Sequence, residues 1–178
     1  MAFLGLMRYG RHERVGFELY NAAVAAARAP MFYEELGVPD TLDGRFDLLG
    51  VHVALLIRTL RRLPAPGPAL AQAVFDAMFS DMDINLRELG VSDLAVGKRV
   101  RAMWEAFHGR AAAYEAALDA ADTAALAEAL ARNVWRGEAP AGAAARLAGI
   151  MVAQDAALRA QSLADLRAGR ASFAATPA

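Results

Sequence analysis

The sequence predicts an all-α protein, a single compact helical domain of about six helices around one central apolar helix. Three observations carry this. Apolar residues recur at helical spacing over most of the 178 residues. No sustained alternation rich in Val, Ile or Thr offers a strand. The Pro and Gly breaks fall between the periodic stretches, at Ala29-Pro30, Gly37-Val38-Pro39, the run from Leu63 to Pro68, Gly90, and Gly137 to Pro140.

Taken in order, the stretches are 12–28, 44–62, 69–89, 93–120, 122–134 and 142–168, the last broken near Gln161-Ser162. Asp40 and Asp43 ahead of Phe46, Ser92-Asp93 ahead of Leu94, and Asp122-Thr123 ahead of Leu126 each offer a side-chain oxygen to the free amides of a first turn. Gly90 after Glu88-Leu89 suits a left-handed C-terminal cap. The Pro-Ala-Pro-Gly-Pro run is a stiff connector within the domain.

Three helical wheels sharpen the picture. In 69–89, Ala71, Val74, Phe75, Met78, Phe79, Met82, Leu86 and Leu89 fill one arc. In 93–120 the stripe is Val96, Val100, Met103, Phe107, Ala111, Tyr114 and Leu118. Helix 44–62 has Phe46, Leu49, Val53, Ile57 and Leu60 on one face and Leu48, Val51 and Leu55 on the other, so it belongs at the centre. Flanking this body, residues 1–14 are expected to be flexible or membrane-proximal, 15–170 to form the domain, and 171–178 to be a disordered tail.

Composition bounds the function. Of the apolar residues 44 are Ala, which leaves one ordinary core and excludes global disorder. A net charge of −1 argues against DNA as a partner. The absence of Cys removes thiolate metal sites, iron–sulfur ligation and Cys nucleophiles. The apolar run Leu48–Ile57 is too short to span a bilayer, which needs about 20 residues. With no export signal in the N-terminal order of residues, a cytoplasmic protein is expected, with peripheral contact at the inner membrane as a further possibility. Phe3, Leu4, Leu6 and Met7 beside Arg8, Arg11 and Arg14 have the composition of a weak interfacial anchor or of a frayed terminus.

The motifs that could carry chemistry are weak. Asp81-Met82-Asp83-Ile84-Asn85 opens like a calcium loop, but Leu86 stands where glycine must turn and Ser92 where a glutamate must ligate. Asp81 and Asn85 therefore read as a helix flank bonded to a neighbouring element. Glu105-Ala106-Phe107-His108 has di-iron spacing without a second copy. His52, among Leu and Val, reads as a core histidine, with haem or metal ligation the sharper alternative. The expectation is no catalytic residue, no metal and no cofactor.

Two stretches say more. One is Phe32-Tyr33-Glu34-Glu35-Leu36-Gly37-Val38-Pro39-Asp40-Thr41-Leu42-Asp43-Gly44-Arg45-Phe46-Asp47-Leu48-Leu49. The other runs from Phe75 to Asp83 and on through Leu86-Arg87-Glu88-Leu89-Gly90-Val91, Val96-Gly97-Lys98-Arg99-Val100 and Phe107-His108-Gly109-Arg110. With Ala131-Arg132-Asn133-Val134-Trp135 they resemble the ubiquinol–cytochrome c chaperone family over residues 15–135. The resemblance implies a non-catalytic helical assembly chaperone, here a bacterial member. Its client would be newly made cytochrome b, with the ribosome or membrane surface nearby and a small partner subunit as in mitochondrial members. Such a holder needs an apolar groove with a charged rim. The expected groove lies between 69–89 and 93–120, with Phe79, Met82, Trp104 and Phe107 inside and Asp83, Lys98, Arg99 and Arg101 on the rim. The runner-up is a small helical protein binding haem or a lipophilic cofactor through His52 or His108.

Overall fold

The computed structural model describes residues 2–174, and of residues 2–9 and 11 the backbone alone. The described residues form eight helices and no strand: α1 (Ala2–Ala27), α2 (Pro30–Glu34), α3 (Leu42–Arg61), α4 (Gly67–Glu88), α5 (Asp93–Asp119), α6 (Thr123–Val134), α7 (Ala143–Arg159) and α8 (Leu163–Arg167). The all-α expectation and the break at Gln161-Ser162 both hold. The sequence pattern omits α2, one turn that starts on Pro30, where a missing amide costs nothing and the fixed φ is already helical. α1 begins well before residue 12; the anchor residues Phe3, Leu4, Leu6, Met7, Arg8 and Arg11 lie outside the described side chains, while Arg14 pairs with Glu18 at 2.8 Å.

Local chemistry sets the ends of the helices. Thr41, not Asp40, caps α3, its Oγ1 accepting from the Gly44 amide at 3.1 Å. Asp122 caps α6 by accepting from Ala125 N at 2.8 Å, and Ser162 caps α8 by accepting from Asp165 N. Ser92 holds the N-cap position of α5 without a side-chain bond. Gly90 closes α4 at φ +78°, with Val91 N donating back to Leu86 O at 3.1 Å.

α3 sits at the centre, packed against α1, α4, α5, α6 and α7. Its residues 46–60 are all buried, as a helix apolar on most sides requires. The polar residues along it are therefore buried too. Near its N-terminus Asp47 meets Arg110 of α5 and accepts from Arg136, after α6, at 2.9 Å. Burial raises the Asp47 carboxyl above its ordinary range, against the pull of the two guanidinium groups. Near its C-terminus Arg58 donates to Asp155 of α7 at 2.8 Å and to Asp119 of α5, where Arg62 converges. Arg159 joins Asp155 from one turn on.

Midway along α3 lies His52, fully buried. Its Nδ1 stands 2.9 Å from the Leu48 carbonyl and so carries the proton that it donates there. The ring packs between Phe32 of α2 and Phe173, with centroids 5.4 and 5.5 Å away. Residues 171–174, assigned on sequence to a tail, lie on the body: Ser172 and Gln161 exchange two hydrogen bonds, 2.9 and 2.6 Å, and Phe173 reaches the core. α1 and α4 approach closely through small residues; a Cβ at Gly16 would come within 2.6 Å of Ala73.

Three outcomes follow from this packing. Gly16→Val forces α1 off α4 and lowers unfolding free energy by about 1–3 kcal/mol in chemical denaturation. Arg58→Ala strands the buried Asp155 with Arg159 alone and costs about 3 kcal/mol in the same assay. Burial holds His52 down to about 4, below the ~6.5 of an unfolded chain. The native state therefore refuses a proton that the unfolded state takes up, and His52 contributes stability that is lost as pH falls from about 6.5 through 4. The loss amounts to about 3 kcal/mol by pH 4, and His52→Phe should flatten unfolding free energy against pH across that window relative to the parent.

Candidate functional site

α4 and α5 form a helical hairpin, and the groove expected between them is filled by its own aromatic side chains. Phe75 and Phe79, one turn apart on α4, lie 4.7 Å apart between centroids. From α5, Phe107 inserts 5.8 Å from Phe75 and 6.2 Å from Phe79. His108 meets Phe75 edge-on at 5.3 Å, and the Trp104 ring lies 4.1 Å from His108. His108 Nδ1 donates to the Trp104 carbonyl at 3.0 Å, which fixes the imidazole within the seam.

The predicted site residues therefore divide. Phe107 and Met82 are buried, Phe79 is half-buried, and Trp104 is 44% exposed on the outer edge. Of the expected rim, Lys98 and Arg99 are exposed and have no ion-pair partner among the described residues. Arg101 is held by Glu105 at 3.0 Å and Asp83 by Arg87 at 2.6 Å.

The far end of the hairpin carries apolar surface that the wheels did not single out as exposed. Leu86 and Val96 are buried, yet they lie apart from the contiguous core of the body. Around them Ile84 is 51%, Leu89 64% and Leu94 90% exposed. The signal was present: Leu89 immediately precedes the Gly90 cap and Leu94 sits in the first turn of α5, beyond the reach of a third helix. A helical wheel puts Leu89 in the buried arc of α4 because it carries no information about where neighbouring helices stop.

On the other side of α4, a cleft of about 540 Å³ opens among α1, α2, α3 and α4. Val24, Phe46, Leu49 and Met82 supply apolar walls, so Met82 faces this cleft. Arg28, Glu34, Asp40, Arg45 and Asp81 supply charge. Tyr20 OH donates to Asp81 Oδ2 at 2.6 Å, and burial together with that bond raises the phenol's pKa. Tyr33 OH donates to the Ala27 carbonyl at 3.0 Å. Arg45 grips Asp40 and holds its carboxyl below the ordinary range. Asp81 thus bonds to a neighbouring helix as the sequence suggested, while Asn85 Nδ2 donates within its own helix to Asp81 O at 2.7 Å.

Among the described residues no three His, Asp or Glu side chains gather as metal ligands. No helix among them is long and apolar enough to cross a membrane. His52 and His108, the candidate haem ligands, stand on different elements of packing, one enclosed in the core and one on the hairpin seam.

The chain is similar to known proteins in sequence and in fold. A family model described as ubiquinol-cytochrome C chaperone matches residues 34–173. The Xenopus laevis ubiquinol-cytochrome-c reductase complex assembly factor 1 is 23% identical over 136 residues, covering 75% of this chain and 68% of that protein. The crystal structure of the Cbp3 homolog from Brucella abortus superposes with a TM-score of 0.83 at 37% identity, over 97% of this chain and 96% of that one.

Proposed function

The chain belongs to the ubiquinol-cytochrome C chaperone family, and from that membership we propose that it is a non-catalytic chaperone that binds newly made cytochrome b while ubiquinol–cytochrome c reductase is assembled. The observation that carries the reading is the apolar end of the α4–α5 hairpin, where Ile84, Leu89 and Leu94 stand in solvent, with Trp104 exposed further along α5. Large exposed apolar side chains grouped on one element, with charges beside them, mark a surface for another protein. A membrane protein awaiting insertion offers the complementary surface, since its apolar helices have no lipid to cover them.

The division of the predicted residues gives each a part in this reading. Trp104 and the edge of Phe79 touch the client. Phe107 lies beneath and stiffens α4 and α5, while Met82 faces the cleft among α1, α2, α3 and α4. Lys98 and Arg99 are free to meet acidic loops of the client or the anionic face of the membrane, and Asp83 and Arg101 keep the rim hydrated through their own pairs. The protein then acts in the cytoplasm, against the membrane face where the client inserts.

A photo-crosslinking residue placed at Trp104 or at Leu94 captures cytochrome b, while one at the exposed Ala153 of α7 does not. Capture at Ala153 alone, or at none of the three, overturns the assignment. Trp104→Ala combined with Leu94→Asp costs about 1–2 kcal/mol of stability through the lost contact with His108, leaves the chain folded in thermal melts, and lowers capture several-fold. Deleting the gene depletes the haem spectrum of cytochrome b in membranes.

A further inference from the structure

The cleft among α1, α2, α3 and α4 has a chemistry that the hairpin end lacks. Its volume, about 540 Å³, lies within the range of ligand-binding cavities, roughly 300–1,000 Å³. Nine of its fifteen lining residues come from the segments 32–49 and 75–83, the two sequence stretches that carry the family resemblance. Segments some thirty residues apart in the chain thus converge on one concave surface.

The walls and rim restrict what can enter. The apolar walls are drawn from three helices, Val24 of α1, Phe46 and Leu49 of α3, and Met82 of α4, and Leu42 stands half-exposed among the lining residues. That suits one face of a helix, presenting side chains at i, i+3 or i+4, and i+7. On the rim Arg45 is engaged by Asp40. Glu34 has no ion-pair partner among the described residues, and Asp81 uses only Oδ2 for Tyr20. Against these two carboxylates stands the single guanidinium of Arg28, so the unpaired charge of the cleft is negative.

We propose that this cleft seats the end of an apolar client helix that carries Lys or Arg in its terminal turn, the cation resting against Glu34 and Asp81 and the apolar face against Val24, Phe46, Leu49 and Met82. Membrane helices carry this combination at their cytoplasmic ends, where Lys and Arg are enriched. The proposal rests on the chaperone reading and adds to it the chemistry by which one helix end is told from another.

The test uses the full chain and two fluorescein-labelled 16-residue Leu/Ala peptides, one ending in two lysines and the other in two glutamates, with binding read by fluorescence anisotropy. The lysine peptide binds about three- to fivefold more tightly, the scale of one or two exposed ion pairs. Glu34→Gln with Asp81→Asn removes that preference, and the asparagine can still accept from Tyr20. Leu42→Asp weakens both peptides several-fold, with thermal melts confirming that each variant is folded. Equal affinities, a preference that survives in the double variant, or indifference to Leu42→Asp overturns the proposal. If the peptides instead respond only to Trp104→Ala and Leu94→Asp, the cleft assignment falls and the chaperone reading stands. If neither peptide binds and no crosslinker captures cytochrome b, both fall. A dimer in sedimentation that Leu42→Asp dissociates makes the cleft a self-interface and overturns the proposal.

Discussion

Two buried charged side chains near the two ends of α3, Asp47 and Arg58, constrain how α5, α7 and the segment after α6 can sit on it. A purely apolar central helix would tolerate rotation and sliding of its neighbours, because burial of apolar area is non-directional. A buried ion tolerates neither, since an unpaired charge in the interior is costly. Asp47 therefore draws Arg110 of α5 and Arg136 inward, and Arg58 draws Asp119 of α5 and Asp155 of α7. α5 is tethered at two points along α3, and the α4–α5 hairpin acquires its direction from those tethers.

That anchoring gives the molecule a fixed body and a projecting arm. The near half of the hairpin is closed between its own two helices by Phe75, Phe79 and Phe107, an aromatic seam in edge and tilted contacts that favour defined geometry. In the far half Leu86 and Val96 are the fully buried apolar side chains among the described residues. Apolar surface is thereby held away from the core in a defined place, where it can meet another protein without loosening the fold. The cleft beside Asp81 and Met82 is made by the body itself, and these two residues link the two surfaces through one helix.

Much of this was legible in the residues. The two-sided apolar character of 44–62 located the central helix, because no surface helix retains Leu48, Val51 and Leu55 opposite Phe46, Leu49 and Val53. Gly90 marked the close of α4 and Asp122 the start of α6, since only local hydrogen bonding is involved. What could not be read was any property set by where neighbours stop. Periodicity put Met82 and Phe79 on one arc of α4, yet the arc is broad enough to face α5 at Phe79 and the α1–α3 cleft at Met82. Periodicity likewise gave Leu89 a buried stripe that ends a turn too soon. The seam closed for a related reason: two facing rows of Phe prefer each other to an empty groove, and a wheel drawn for one helix cannot show the partner filling it. The two sequence stretches behind the family resemblance were informative in another way, because their meeting on one cleft becomes visible only when the chain is folded.

Phe173 closes the enclosure of His52 from 121 positions further along the chain, held there by the exchange between Ser172 and Gln161. α1, α3 and α4 are synthesised long before that ring exists. The aromatic packing around the imidazole is therefore incomplete until residue 173 has been made. Part of the interior of this family member thus rests on a contact between residues far apart in the chain.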